Sequence, residues 1–188
     1  MPSKYTFRRE ARPLGKAPRE LLSPIDLVML DVDGCLTDGG RFMSGDGVTF
    51  YRYSVLDGLG VWLMGRAGLR VVIVSAGDNP SVPERAKQWE VFGFETGVTN
   101  KEAYLLDLMS RCSTSPSRTC AMGDDLWDVA ALRIAGVSVC PANAHASVMQ
   151  TARFYTRSLG GNGAVRELAD RLLEAKGITQ GRQIELLA

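Results

Sequence analysis

Asp31 and Asp33 stand one residue apart directly after the apolar run Leu27 to Leu30, which is predicted to be a buried strand. Ligands of open α/β sheets bind at the carboxyl ends of the strands, so both carboxylates are expected to face such a site. There, one carboxylate can attack a substrate while the other transfers protons, and Gly34 permits a sharp turn. Taken alone, an acidic pair in this place is more often a turn or a helix cap.

A second acidic group, Asp124, Asp125 and Asp128, follows the apolar run Cys120 to Met122 and opens a predicted helix. Capping of that helix by Asp124 or Asp125 is the simple explanation. However, several carboxylates that converge on one edge of a sheet repel one another unless a cation neutralises them. Because an oxygen-only ligand set suits Mg²⁺, the two acidic groups together predict a magnesium site.

Two further residues are candidates for binding a phosphate group. Ser75 ends the predicted strand Leu69 to Val74, where its hydroxyl and the neighbouring amides could hold a phosphate oxygen. Lys101 opens a predicted helix, although cations are favoured at helix C-termini, and a phosphate partner would explain its position. Considered singly, the two are an ordinary loop serine and a solvated lysine.

The elements that position these residues alternate between short apolar runs and segments of helical periodicity. The predicted strands are Leu27 to Leu30, Val71 to Val74, Cys120 to Met122 and Val137 to Cys140. The predicted helices are Asp57 to Ala67, Val82 to Phe92, Glu102 to Arg111, Asp125 to Ala135 and Ala164 to Ala175. Continuous apolar runs are typical of parallel strands buried on both faces. The pattern predicts an α/β fold with a doubly wound, Rossmann-like parallel sheet and helices on both faces.

One segment, residues 42 to 53, interrupts this alternation and is predicted to be a β-hairpin turning at Gly45-Asp46-Gly47. Isolated hairpins are marginally stable, so its aromatic residues are expected to pack against another subunit or against their own domain. Only this flap and one helix separate Asp33 from Ser75, which leaves no room for a cap domain. An uncapped site needs shelter from water, and another subunit could supply it.

The length of 188 residues and the hydrophobic content of 45% predict one domain over residues 25–177, with a loose basic leader over 1–24 and a tail over 178–188. The formal net charge of +1 gives no reason to expect a nucleic-acid or anionic-membrane partner. Four cysteines without C-x-x-C spacing argue against a zinc site or disulfides and favour a reducing cytoplasm. No apolar run approaches the roughly 18 residues of a membrane span, and no signal peptide is recognisable.

The chain order of these chemical groups resembles the four motifs of haloacid dehalogenase-type phosphatases. A phosphorylated receiver domain is the nearest look-alike, but there the lysine comes last in the chain. From about Ile25 to Lys176 the sequence resembles the capless 3-deoxy-D-manno-octulosonate 8-phosphate phosphatase family. The resemblance is carried by DVDGCLTDG at 31–39, the hairpin, VLDG at 55–58, Asn100-Lys101, GDDLWD at 123–128 and GGNGAVRE at 160–167.

This resemblance implies a magnesium-dependent sugar phosphatase, in which Asp31 is the nucleophile and Asp33 the general acid and base. Mg²⁺ would be held by Asp31, Asp124 and the main-chain carbonyl of Asp33. It also implies a second set of roles: Ser75 and Lys101 bind the phosphoryl oxygens, Asp125 or Asp128 anchors Lys101 or metal-bound water, and Asp57 and Gly58 line the substrate entrance. Members of the family are homotetramers whose hairpins assemble together and whose C-terminal tail can cover a neighbouring site.

Three positions depart from the family pattern, because Leu56, Asp78 and Asn162 stand where arginines are usual. Arginine binds carboxylates and phosphates through two parallel hydrogen bonds, so their loss should weaken binding of an acidic sugar phosphate. A phosphatase for nine-carbon ulosonate 9-phosphates or for another sugar phosphate is therefore an alternative. A non-catalytic regulatory or binding subunit that retains the fold is the alternative of another class.

Overall fold

The computed structural model describes residues 11–187 and contains a seven-stranded parallel sheet and a separate two-stranded hairpin. The strands are β1 (Arg12–Pro13), β2 (Leu27–Asp31), β3 (Thr37–Met43), β4 (Thr49–Tyr53), β5 (Arg70–Val74), β6 (Gly93–Glu95), β7 (Thr119–Met122), β8 (Val137–Cys140) and β9 (Phe154–Tyr155). The order across the sheet is β1-β9-β8-β7-β2-β5-β6, and all of its paired strands are parallel. The predicted fold class is confirmed.

Eight α-helices occur within the described residues, several of them only one or two turns long. They are α1 (Arg19–Leu22), α2 (Val55–Arg66), α3 (Val82–Gln88), α4 (Lys101–Arg111), α5 (Val129–Ile134), α6 (Ala146–Met149), α7 (Ala164–Ala175) and α8 (Gln180–Glu185). None of the helices in this part of the chain is long and apolar enough to cross a membrane.

The central strand β2 is buried along its whole length and separates two hydrophobic cores. Val28 and Leu30 belong to the core that contains α2 and α7, whereas Leu27 and Met29 belong to the core that contains α4 and α5. This division follows from the two-residue period of side chains along a strand. Helices therefore cover both faces of the sheet, which explains why β2 is a continuous apolar run rather than an alternating one.

The hairpin β3–β4 stands apart from the main sheet, in the position predicted for a flap. Its strands pair through Phe42 with Phe50 and Arg41 with Tyr51, and a bulge shifts the register between Thr37 and Arg41. The two phenylalanine side chains are 71% and 61% exposed. Because both lie on one face of a two-stranded ribbon, the hairpin presents an apolar surface that its own domain leaves uncovered.

The structure differs from the predicted loose leader over 11–24. β1 extends the sheet beside β9, a 3₁₀ turn covers Leu14–Lys16, and Leu14 and Leu22 are fully buried. Strand β1 has only two residues, one of them a proline, so its sequence shows no period from which a strand could be predicted. The basic residues before position 11 lie outside the described residues.

Several other elements differ from the sequence prediction. The strands β6 and β9 were not predicted, because at three and two residues they are too short to show a period. Helix α3 ends at Gln88 rather than at Phe92. Glu90, two residues after the end of the helix, takes a left-handed φ of 52°. The predicted helix from Asp125 begins as a 3₁₀ turn, Leu126–Asp128, before α5. The predicted tail contains α8, which is capped by the Thr179 side chain.

Candidate active site

The predicted chemical groups converge because β5, β2 and β7 are neighbours in the sheet. Asp31 pairs in register with Val74, the residue before Ser75, and Leu30 pairs with Met122 at the end of β7. Parallel strands end at the same edge, so residues that are 44 to 93 positions apart in the chain meet there. The carboxylates that follow β2 and β7 line an open cavity of about 440 Å³ together with Lys101 from the start of α4, and Ser75 lies directly before its lining residues Ala76 and Gly77.

Lys101 lies at the buried end of this cavity between two carboxylates. Its Nζ atom is 2.6 Å from Oδ1 of Asp128 and also donates to Oδ1 of Asp31. The Lys101 side chain is only 1% exposed. Burial acts to lower the pKa of Lys101, but the charges of Asp31 and Asp128 outweigh it and raise the pKa. The lysine is therefore a permanent cation beside Asp31, which explains its unusual position at a helix N-terminus.

Asp128 connects the lysine to the loop that follows β7. Its Oδ2 atom accepts hydrogen bonds from the backbone amides of Asp124 at 3.0 Å and Asp125 at 3.2 Å. Asp125 and Asp128 form a reciprocal capping box, in which the side chain of each accepts from the backbone amide of the other, and Asp125 also accepts from the amide of Leu126. The predicted anchoring of Lys101 is thus made by Asp128, whereas Asp125 caps the 3₁₀ turn and lines the cavity.

Asp31 and Asp124 form a candidate metal site. Their carboxylate oxygens and the sulfur of Cys35 lie within 4.8 Å of one another. Burial, followed by repulsion from Asp128, raises the pKa of Asp31 well above its usual value and that of Asp124 to about 7. Two destabilised carboxylates in one buried place fit a divalent cation, since a cation would remove this repulsion.

Cys35 is not expected to be a ligand of that cation. Burial and then the charge of Asp124 raise the pKa of its thiol well above the usual value, so the sulfur stays protonated. Mg²⁺ prefers oxygen ligands. The oxygens near the site therefore decide its metal preference, and they are the carboxylates of Asp31 and Asp124.

The turn Val32–Leu36 keeps room for these carboxylates through Gly34. Gly34 has φ 90°, and a Cβ atom placed on it would lie 2.0 Å from Oδ2 of Asp124. The glycine-rich loop after β9 packs against the same turn, since a Cβ on Gly160 would lie 1.6 Å from the Gly34 carbonyl oxygen. Gly161 donates its backbone N–H to the Cys35 carbonyl at 2.8 Å. Because Gly160 and Gly161 have no side chains, their loop can approach the turn Val32–Leu36 this closely.

Asp33 points toward the open side of the cavity, with a side chain that is 27% exposed. Its Oδ2 atom accepts a hydrogen bond of 2.9 Å from Nη2 of Arg41, while Oδ1 is buried without a partner among the described residues. A buried carboxylate oxygen without a donor is costly in a resting protein. Oδ1 of Asp33 is therefore free to exchange a proton with a substrate bound at Asp31.

Ser75 is buried at the end of β5, and the next two residues, Ala76 and Gly77, line the cavity. The Ser75 carbonyl accepts from the amide of Val98, which ties this loop to the segment leading into α4. The loop therefore lies at the cavity that Lys101 also lines, and its role in binding phosphate stays a prediction.

Asp57 and Gly58 are not brought into this cavity within the chain. Asp57 is fully buried and accepts from the amides of Gly163 at 3.0 Å and Arg166 at 2.9 Å, so it caps the start of α7. Gly58 packs against the indole of Trp89, where a Cβ atom would lie 2.5 Å from Nε1. Within the described residues they do not line this cavity, and their place at the substrate entrance stays a prediction.

Two residues that line the cavity were missed from the sequence, Arg41 and Trp127. Trp127 belongs to the acidic motif but is 57% exposed, so its ring stands at the cavity rim. Arg41 lies in β3, and its direction depends on the bulge after Thr37. The predicted hairpin began only at residue 42, whereas β3 begins at Thr37; since glycines inside a strand often mark a bulge, Gly39-Gly40 was the signal that could have located it.

The fold and this arrangement of groups define a haloacid dehalogenase-type phosphatase. The family model of haloacid dehalogenase-like hydrolases matches residues 86–168. The 3-deoxy-D-manno-octulosonate 8-phosphate phosphatase of Escherichia coli K12 is 34% identical over 153 residues, which cover 81% of each chain.

Two solved structures extend the comparison. That of the Moraxella catarrhalis 3-deoxy-D-manno-octulosonate 8-phosphate phosphatase, in complex with magnesium, phosphate and the octulosonate sugar KDO, matches with a TM-score of 0.85 and 28% identity over 90% of this chain and 97% of the other. The cobalt-bound Haemophilus influenzae phosphatase of the same substrate matches with a TM-score of 0.82 and 30% identity over 87% and 98%. This chain belongs to the family of 3-deoxy-D-manno-octulosonate 8-phosphate phosphatase-like hydrolases, which confirms the resemblance and the predicted enzyme class, a hydrolase of phosphoric monoesters.

Proposed function

We propose that this protein is a Mg²⁺-dependent phosphatase of a small acidic sugar phosphate, similar to 3-deoxy-D-manno-octulosonate 8-phosphate, and that it acts through an aspartyl phosphate on Asp31. The observation that carries the proposal is the contact of Lys101 with Asp31 at the bottom of the carboxylate-lined cavity. Lys101 neutralises charge where a phosphoryl group would meet the nucleophile.

Mg²⁺ would be held by Asp31, Asp124 and the Asp33 carbonyl, and when bound it supplies positive charge that shields the attacking carboxylate from the phosphate. Asp31 attacks the phosphorus atom in line with the departing sugar oxygen. Asp33 gives a proton to that oxygen from its carboxyl group. In the second step Asp33 takes a proton from water, which attacks the acyl phosphate and frees Asp31.

The remaining groups position the phosphoryl oxygens. Ser75 and the amides of Ala76 and Gly77 lie beside the cavity, and Lys101 is fixed by Asp128 so that its charge needs no reorganisation during the reaction. Preorganised groups of this kind supply much of the rate enhancement in phosphoryl transfer. Removal of the Asp128 anchor is therefore expected to affect the reaction without any direct contact with the substrate.

The active form is proposed to be a homotetramer assembled through the hairpins. Six exposed apolar residues of the hairpin and the start of α2 support it: Phe42, Met43, Val48, Phe50, Val55 and Leu56. Exposed apolar side chains concentrated in one part of a molecule, as here, are typical of interaction sites. A neighbouring subunit at this surface would also shelter a cavity that has no cap domain. The cytoplasmic location stays a prediction.

The direct test is phosphate release by the purified protein, with and without Mg²⁺. The substrates are octulosonate 8-phosphate, nonulosonate 9-phosphates, and common hexose and pentose phosphates. We expect Mg²⁺-dependent turnover with a preference for an ulosonate phosphate. Preference for a nonulosonate would select that alternative, and the absence of release from the whole panel despite metal binding would favour the non-catalytic subunit.

The intermediate has its own test in the variant Asp33→Asn. This variant keeps the nucleophile but lacks the acid of the first step and the base of the second. With an aryl phosphate, whose leaving group needs no proton, the first step can still occur, so the acyl phosphate should accumulate. Mass spectrometry after acid quenching should find the phosphoryl group on Asp31. If no phosphoprotein accumulates in this variant while the unmodified enzyme turns over normally, the covalent route is contradicted.

A further inference from the structure

Arg41 is the accessible cation of the active-site cavity. The described residues that line the cavity include two cations, Arg41 and Lys101, against several carboxylates. Lys101 is buried and fully engaged by Asp31 and Asp128. The Arg41 side chain is 49% exposed, so it can meet a ligand that enters from solvent.

The backbone directs Arg41 toward the carboxylates. The irregular segment between Thr37 and Arg41 contains Gly39, which has φ 79°, and both features bend β3 away from a regular strand. Bulges next to active sites commonly change the direction of a side chain. Here the guanidinium reaches Asp33 across eight residues of chain, and a Cβ on Gly77 of the phosphate-binding loop would lie 3.9 Å from Nη2.

The guanidinium is held but not saturated. It stacks over the ring of its cross-strand partner Tyr51, with Cζ 5.4 Å from the ring centroid. Nη2 contacts Asp33, and within residues 11–187 the Nε and Nη1 atoms make no hydrogen bond. A guanidinium has five N–H donors in a fixed fork, which matches a carboxylate. Most of these donors are thus available to a substrate while Arg41 still contacts Asp33.

We propose that Arg41 is a specificity-determining residue that binds the carboxylate of the substrate and so selects acidic sugar phosphates. The proposal rests on the proposed function, because it concerns the sugar end of the same substrate. It also accounts for acidic-substrate recognition in a chain that has Leu56, Asp78 and Asn162 where arginines were expected. Asp78 and Asn162 are exposed, and Asn162 accepts a hydrogen bond from Arg52 rather than acting as a cationic group itself.

The test compares kcat/KM for octulosonate 8-phosphate, which carries a carboxylate, with that for a neutral hexose phosphate. In Arg41→Gln we expect the ratio of the two values to fall by about tenfold or more, since a charge-assisted hydrogen bond contributes about 1.5–3 kcal/mol. The loss should come mainly from KM. Arg41→Lys keeps the charge without the fork, so its ratio should lie between those of Arg41→Gln and the unmodified enzyme.

Arg111→Gln is the matched control. Arg111 also pairs with a carboxylate, Asp107 at 2.7 Å, and lies over an aromatic ring, that of Tyr104, but at the far end of α4 from Lys101. This variant should leave the ratio unchanged. Inhibition by the free sugar acid is a second measurement, and it should weaken in Arg41→Gln by a similar factor.

A purely structural or positioning role of Arg41 would have a different signature. Loss of its contact with Asp33 alone would lower kcat on both substrates alike and leave their ratio within twofold of the original, which would overturn the inference. If Arg41→Gln still turns over both substrates and the ratio of their kcat/KM values is unchanged, the inference about Arg41 fails but the proposed phosphatase function does not. Failure of the unmodified protein to release phosphate from any sugar phosphate overturns both proposals.

Discussion

The ammonium group of Lys101 lies 2.6 Å from the Asp128 carboxylate, and both side chains are almost completely buried. Asp128 also accepts two backbone amides of the loop that carries Asp124. One carboxylate therefore holds both Lys101 and the loop that carries a candidate metal ligand. Removing Asp128 would leave these two partly buried amides without their acceptor and would leave Lys101 with Asp31 as its remaining carboxylate partner.

Asp128→Ala should consequently destabilise the protein by about 1–3 kcal/mol, measured by chemical denaturation without metal, because the loop amides lose their acceptor. Its kcat should fall about a hundredfold, because a small displacement of the lysine misaligns the reacting groups. Asp107→Ala removes the exposed pair with Arg111 and should change neither quantity appreciably. Equal effects of the two substitutions would contradict the anchoring role of Asp128.

Asp31→Asn should abolish turnover while the protein stays folded. The substitution removes the nucleophile and one metal ligand with little change of volume, so kcat should fall at least about a thousandfold. The melting temperature without metal should not decrease, because burial already raises the pKa of Asp31 and its charge is unfavourable in the metal-free site. Undiminished, metal-dependent activity of this variant would disprove the mechanism.

Gly34→Ala should abolish magnesium binding, and Gly47→Ala provides the control for backbone strain. Both glycines have similar positive φ values, 90° and 87°, so both substitutions should cost about 1–2 kcal/mol of stability. A Cβ at Gly34 would collide with the Asp124 carboxylate, whereas a Cβ at Gly47 would meet nothing within 4 Å. Titration calorimetry should show lost Mg²⁺ affinity only for Gly34→Ala, and equal losses would refute a role of this contact.

Magnesium affinity should increase with pH across neutrality. Burial and neighbouring carboxylates raise the pKa of Asp124 to about 7 in the metal-free protein, so ionising it costs stability as the pH rises through that value. Mg²⁺ competes with this proton. Its dissociation constant should be about tenfold higher at pH 6 than at pH 8, and the rise in melting temperature on adding Mg²⁺ should be correspondingly smaller at pH 6. Equal affinities at the two pH values would contradict this reading of the site.

Phe50→Glu should convert the proposed tetramer into monomers. Phe50 faces Phe42 across the hairpin and is 61% exposed, so a charge there would be buried without a partner in the assembly. Phe92→Glu, at an equally exposed phenylalanine outside the hairpin, should leave the mass unchanged in light scattering. A fully active monomer of the unmodified protein would rule out the assembly.

Most of the sheet and the catalytic groups were predictable from the sequence because they depend on local patterns. The run before Asp31 has to be buried on both faces, and a buried apolar strand can be recognised without knowing its neighbours. Helix α7 was predicted with its observed boundaries, Ala164–Ala175, because its apolar face has a clear helical period. The order of Asp31, Ser75, Lys101 and Asp124 was sufficient to indicate the superfamily.

The tertiary structure decided what depends on contacts between distant segments. Asp57 precedes a glycine in a motif that suggested a substrate entrance, yet its carboxylate is used to cap α7, more than a hundred residues later. Arg41 reaches the candidate active site because a bulge changes the direction of β3. A bulge of this kind cannot be recognised from the hydrophobic periodicity of the sequence. Local sequence patterns thus determined the catalytic edge of the sheet. Which charged side chains reach that edge was decided by packing, because side-chain direction depends on elements far away in the chain.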